Sequence, residues 1–309
     1  MFGMTFDISE AMRAIQQASE REVACHAESL ECLRGIRAQT ALIWLPRTWA
    51  MAPERTVLWE HLLSGRFRRR LRALLHHPAT GCRVRAHDAV TERFAVMAGV
   101  WQLFGECQKN PLFTPATLFL SHTSLGQPLV RWRAPLATWA NARGLQARNL
   151  HVSFSHDGDA HLALLAHAPG LRGLGLDVVH LPRLRRHGKD SAYLRRLARH
   201  FMGEEEYVAF THESQRNGPE ALLRRVAAHF SLMEAASKAL GTGLRMGGGM
   251  GRSTSLPKQS LGVLGTTPPI SFVLGSEARA RCRKLGAGTL EGHWSAEDEY
   301  LVSTVLLWK

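Results

Sequence analysis

The stretch LHVSFSHDGDAHLALLAHAPGLRGLGLDVVHL, residues 150–181, decides the fold. Residues 150–156 alternate in polarity, 161–167 form a short apolar run, and the DGD between them is turn chemistry, so the two runs read as a hairpin. GLGLDVVHL at 173–181 reads as a third strand. Within it Asp177 has only apolar residues and glycine as neighbours. A carboxylate in such a strand is costly to bury unless a metal or an arginine meets it, or the strand end carries it to solvent.

Towards the C-terminus, helical spacing runs over 191–215 and 219–240, followed by the glycine-rich segment GTGLRMGGGMGRSTS at 241–255 and the strands ISFVL and YLVSTVLLW. Towards the N-terminus, TALIWLP at 40–46 has the apolar density of a buried strand stopped by proline. Residues 58–75 and 86–104 show helical spacing, and GCRVRAHD between them carries turn and basic residues. Residues 1–39 read as one or two amphipathic helices outside the core. Strand, helices and strands thus occur twice, which predicts an α+β fold of two similar halves, although no residue-level repeat is visible. The expected division is a helical extension over 1–39, an N-terminal pseudo-repeat over 40–149 and a C-terminal half over 150–309.

The chain has 309 residues, 45% of them hydrophobic and 21% charged, the profile of a globular protein with a sufficient core. Acids near the N-terminus and the absence of any run of about 18 apolar residues argue for a soluble, cytoplasmic protein without a membrane partner. Five widely spaced cysteines fit reduced thiols. The 39 Lys and Arg against 26 Asp and Glu give +13, a field that draws polyanions or an acidic protein, or simply a solvated basic surface. The basic segment RFRRRLRALLHH has leucines at helical intervals and no aromatic interleaving, so it reads as a helix face and nucleic acid is not an expected partner.

In HFSLMEAASKALGTGL, Glu234 and Lys238 lie four residues apart on one helix face, with Gly241 placed to end the helix. Alone, that spacing is an ordinary surface pair. Brought against Asp177, the two carboxylates suit magnesium, which takes hard oxygen ligands and shares its shell with water and phosphate. Lys238 then stands one turn away, placed for a phosphate.

These segments resemble the 4′-phosphopantetheinyl transferases, whose G-[IV]-D strand, F-[ST]-x-x-E segment and [WF]-x-x-K-E-[AS]-x-x-x-K helix correspond to GLGLDVVHLPRL, FMGEE at 201–205 and FSLMEAASKALGTG at 230–243. SLGQPLV at 124–130 and VSFSHDGD at 152–159 resemble two further segments of the larger, pseudo-dimeric members. The resemblance implies two α+β halves, each a small antiparallel sheet against helices, with the active site in the cleft between them, in a monomer. It implies transfer of phosphopantetheine from coenzyme A to a serine of an acidic acyl- or peptidyl-carrier protein, with Mg²⁺ on Asp177 and Glu234. Glu234 takes the serine proton and Lys238 steadies the transferring phosphoryl group. Ser155, His156, Gly126 and Gln127 are implied coenzyme contacts, with Arg83 and Arg85 towards the nucleotide end. Glu205 is expected to orient Lys238 or the metal shell, and Arg183, Arg185 and Arg186 to form either part of the carrier surface or an exposed helix cap. Three positions depart from the family pattern: Met233 and Gln127 each replace a basic residue, and Val179 replaces a second metal-binding glutamate. A weakened homologue that binds coenzyme A or a carrier without efficient transfer is therefore the alternative.

Overall fold

A computed structural model describes residues 8–25, 30, 33, 36–47, 49, 65–76, 80–105, 113, 117–124, 126–187, 191–216, 218–245, 255–265, 268–297 and 299–309. Two three-stranded antiparallel sheets organise it. In the first, β1 (Gln39–Pro46) pairs with β5 (Ala160–His167), which pairs on its other side with β4 (Leu150–Asp157). In the second, β6 (Leu171–His180) pairs with β12 (Tyr300–Trp308), which pairs with β11 (Thr289–Ala296). Each sheet therefore has its last strand in the middle.

The elements between repeat as well. The first sheet is accompanied by α2 (Gly65–Leu75), the long helix α3 (Thr80–Leu103), the hairpin β2 (Leu118–His122) with β3 (Pro128–Trp132), and α4 (Ala134–Asn141). The second is accompanied by α5 (Leu181–His187), α6 (Ser191–Phe201), α7 (Glu204–Arg216), the long helix α8 (Pro219–Ala239), two-residue strands β7 (Leu244–Arg245) and β8 (Leu256–Pro257), the hairpin β9 (Leu261–Leu264) with β10 (Ser271–Leu274), and α9 (Ser276–Leu285).

This order corrects the expected division. The 150–167 hairpin, grouped by sequence with the C-terminal half, closes the first sheet, so the repeats meet at 168–170. Its alternation fits either sheet, and only its pairing with β1 settles the matter. The residue-level repeat then emerges from the long helices: FAVMAGVWQLFG at 94–105 in and after α3 matches FSLMEAASKALG at 230–241 in and after α8. Helix 1–39 is corrected too. In α1 (Ile8–Cys25), Met12 and Ile15 are fully buried in the cluster that holds Ile43, Leu45 and Phe94. The hydroxyl of Ser19 accepts the Trp44 N–H at 3.0 Å. β1 is an edge strand, and α1 covers it.

GCRVRAHD lies inside α3, which no proline interrupts. The single helix expected at 191–215 is two, broken at Met202 and Gly203. Glu206 reaches back to accept the Gly203 N–H at 2.7 Å, satisfying a donor at the start of α7. At the end of α8, Thr242 N–H bonds to Ser237 O and Gly241 N–H to Lys238 O, both at 2.9 Å, and Gly241 has φ +66°. That is the pattern of a glycine-terminated helix end. Most of the glycine-rich segment, 246–254, lies outside the described residues.

Candidate active site

Residues 173, 175 and 177 share one face of β6, two glycines and then an aspartate. A Cβ on Gly173 would lie 1.9 Å from Ala239 O, and one on Gly175 would lie 1.7 Å from Ala235 O. The α8 backbone therefore rests directly on the strand at these glycines. The same close approach brings Glu234 and Lys238, each one residue before those alanines, to Asp177.

Lys238 Nζ donates to Asp177 Oδ1 and to Leu176 O, each at 2.8 Å, and to Ser155 Oγ at 3.2 Å. Ser155 Oγ in turn donates to Asp177 Oδ1 at 2.9 Å and accepts the Val178 N–H at 3.2 Å. Ser155 belongs to a seam: Ser153 Oγ accepts Leu176 N–H at 2.9 Å and Asp157 Oδ2 accepts His180 N–H at 2.8 Å. Every second side chain of β4 thus bonds the free edge of β6, locking the two sheets across the site. The buried Ser155 hydroxyl gives its one proton and fills both lone pairs within the protein. In this structure the hydroxyl of Ser155, expected at a coenzyme phosphate, holds Asp177 and Lys238.

Glu234 is half-buried, and its carboxylate makes no hydrogen bond among the described residues. Burial pushes it above the usual carboxylate range, and the Asp177 charge pushes the same way, while Lys238 pulls it back. Two carboxylates side by side, with Asp177 Oδ2 and the whole Glu234 carboxylate uncommitted among the described residues, fit a hard divalent cation completed by water and phosphate oxygens. Among the described residues no group of three or more His, Cys, Asp or Glu side chains could hold a metal, so Asp177 and Glu234 would act as a pair.

Beside Lys238 opens a cleft of about 400 Å³ between the repeats, lined by Gly126, Gln127 and Pro128 from the β2–β3 turn, by β4, by Glu92 of α3 and by Gly241 to Gly243. Gly126 and Gln127 thus line the cleft. A Cβ on Gly241 would lie 2.6 Å from Gln127 Oε1, so the turn packs against the end of α8. Arg281 Nε donates to Leu240 O at 2.7 Å, placing a cation at the same corner that sequence reading missed. His156 is exposed, its ring stacked on His161 at 5.9 Å and its Nε2 3.9 Å from Asp88 Oδ2. Asp88 is held by Arg47 through bonds of 3.2 and 3.0 Å. Asp88 and Glu92 lie four residues apart on α3, and the packing of that helix against β1 brings Arg47 to Asp88.

Other expectations fall elsewhere. Arg85 is exposed on α3 and does not line the cleft, and the Arg83 side chain lies outside the described residues. Glu205 is exposed, whereas Glu206 makes the contacts, including the short bond from Val263 N–H at 2.5 Å. Arg183 pairs with Asp157 at 2.9 Å and Arg185 with Glu220 at 2.6 Å. Arg186 is exposed. Met233 and Val179 are core residues, 0% and 2% exposed, so neither position faces the site.

The family model described as the 4′-phosphopantetheinyl transferase superfamily matches residues 173–302. Among solved structures, the chain is similar to holo-[acyl-carrier-protein] synthase from Neisseria meningitidis, at 23% identity and a TM-score of 0.35 over 45% of this chain and 99% of that one. It is similar to the Bacillus anthracis holo-(acyl-carrier-protein) synthase in complex with CoA (3′,5′-ADP), at 20% identity and a TM-score of 0.33 over 46% and 99%. The Helicobacter pylori enzyme in complex with coenzyme A gives 20% identity and 0.30 over 43% and 98%. No curated protein matches the chain.

Proposed function

We propose that this chain, whose residues 173–302 match the family model of the 4′-phosphopantetheinyl transferase superfamily, transfers the phosphopantetheine arm of coenzyme A to a serine of an apo acyl- or peptidyl-carrier protein. The observation that carries the reading is the convergence of Asp177, Glu234 and Lys238 beside a cleft between two repeats. In the reaction the serine oxygen attacks the phosphorus bearing the pantetheine, forming a phosphodiester, and 3′,5′-ADP departs with the electrons of the broken P–O bond.

Asp177 and Glu234 are the pair that would hold Mg²⁺, which when bound neutralises charge on the pyrophosphate. Glu234, whose surroundings raise its proton affinity, is suited to take the serine proton directly or through water. Lys238, whose three N–H donors go to Asp177, Leu176 O and Ser155 in this structure, would turn one of them to a phosphoryl oxygen of the bound coenzyme while the others hold it in place. The Gly126–Gln127 turn and His156 are the proposed coenzyme contacts. The +13 charge favours encounter with an acidic carrier. No helix among the described residues is long and apolar enough to cross a membrane.

The test is mass spectrometry of a panel of apo carrier domains incubated with coenzyme A, with and without Mg²⁺. The expected result is addition of one phosphopantetheine that requires the metal and is lost in Asp177→Ala and Glu234→Ala. Undiminished labelling by either variant would sink the assignment.

A further inference from the structure

Glu92 stands on the wall of the cleft supplied by the first repeat, while Lys238 stands on the wall supplied by the second. Its carboxyl makes no hydrogen bond among the described residues. The nearest charges acting on it are Arg93 and Asp88 from its own helix, one lowering and one raising its proton affinity, and burial outweighs both, lifting it to about 7. Between the two walls the lining is apolar at Val152, Phe154 and Leu174 and polar at His122 and Ser153, and among the described residues Lys238 is the one Lys or Arg that lines it, with Arg281 behind Leu240 at its corner. A ligand that fits this polarity has phosphate at Lys238, a flat apolar body, and at its far end a neutral N–H donor. A second phosphate at Glu92 would meet a carboxylate in a partly buried site, which is unfavourable.

Resting on the transferase reading, we propose that Glu92 is a specificity-determining residue of the coenzyme site, accepting a hydrogen bond from the exocyclic amino group of the adenine while the base lies in the apolar cleft. A site built around a buried acceptor rejects analogues that lack the matching donor more strongly than an apolar slot does, because the acceptor is left unpaired. The carboxyl offers an acceptor oxygen whether or not it is protonated.

The experiment is equilibrium binding of coenzyme A, of 1,N⁶-etheno-coenzyme A, whose amino nitrogen is locked into a ring, and of 3′,5′-ADP, which keeps the base but has no pantetheine arm. Wild type is expected to prefer coenzyme A over the etheno analogue by about tenfold or more. Glu92→Ala should bring the ratio within about twofold and weaken 3′,5′-ADP, and Glu92→Gln, which keeps a carbonyl acceptor, should restore most of both. Equal ratios in wild type and Glu92→Ala would overturn the proposal. So would a Glu92→Ala variant that loses affinity for coenzyme A but not for 3′,5′-ADP, since the donor would then lie in the arm. Failure of wild type to bind any of the three ligands would instead overturn the transferase reading itself.

Discussion

Ser155 shows how much a single hydroxyl can organise. Its one donor and two acceptor positions go to Asp177, Val178 and Lys238, three partners from two elements. Removing it leaves a buried N–H unpaired and frees both charged groups to shift. Ser155→Ala is therefore expected to lower stability by about 1–3 kcal/mol, and to reduce kcat by roughly 10- to 100-fold while KM for coenzyme A moves less than about threefold. A phosphate ligand would behave the other way, with KM carrying the loss. Urea melts and steady-state transfer kinetics separate the two, and a large KM effect with an unchanged kcat would defeat the positioning role. The sequence made Glu234 and Lys238 legible because their four-residue spacing is a helix property. It carried the identity of Ser155 but not its role, since a serine in an alternating strand looks the same whether it faces a ligand or a neighbouring strand.

Among the elements, β6 and α8 are joined at a spacing that only glycine permits. Gly175 carries the tighter contact, and the opposing atom is a backbone oxygen, which cannot swing aside as a side chain can. Gly175→Ala should force α8 off the strand, costing about 3 kcal/mol or more, and should carry Lys238 and Glu234 away from Asp177. Gly170→Ala is the matched control: its φ is +89° with nothing within 4 Å of the added carbon, so it should cost only about 1 kcal/mol of backbone strain. Thermal unfolding of both variants tests this, and equal losses would mean that the strand–helix contact relaxes freely. The GLG pattern was visible in sequence as part of a motif. Its physical purpose was not, because a glycine's reason is the atom it lets approach, and that atom lies some sixty residues away along the chain.

At the scale of the molecule, duplication explains both the cleft and its one-sidedness. The face of β1 towards α3 carries Ala41, Ile43 and Leu45, and α3 has Ala98 and Gln102 where the matching helix segment has Glu234 and Lys238. The first repeat thus keeps the scaffold without the acids. It was hard to read because core residues had diverged within their class and the boundary hairpin could pair either way. The two repeats also bury titratable rings, one of them at their joint. His151 of β4 meets Leu171 O at 3.1 Å, His161 has both ring nitrogens buried without a hydrogen bond among the described residues, and His229 of α8 stacks on Phe201. Burial lowers them to about 4, about 4 and about 3. From pH 6.5 downward the unfolded chain therefore binds up to three protons that the folded chain does not, so stability falls as pH falls. Glu92 works in the opposite sense: raised to about 7, it favours the folded state at low pH and withdraws that support as pH rises from about 4.5 to 7. Between those limits the balance is about two protons in favour of the unfolded state, a slope of roughly 2–3 kcal/mol per pH unit at its steepest. Urea unfolding from pH 5 to 8 should thus give stability that climbs between pH 5 and about 6.5 and then levels. In Glu92→Gln the climb should steepen and the plateau should rise. A flat profile from pH 5 to 7 would mean that these histidines remain hydrated in the folded chain, and that the repeats are packed more loosely around them than their burial implies.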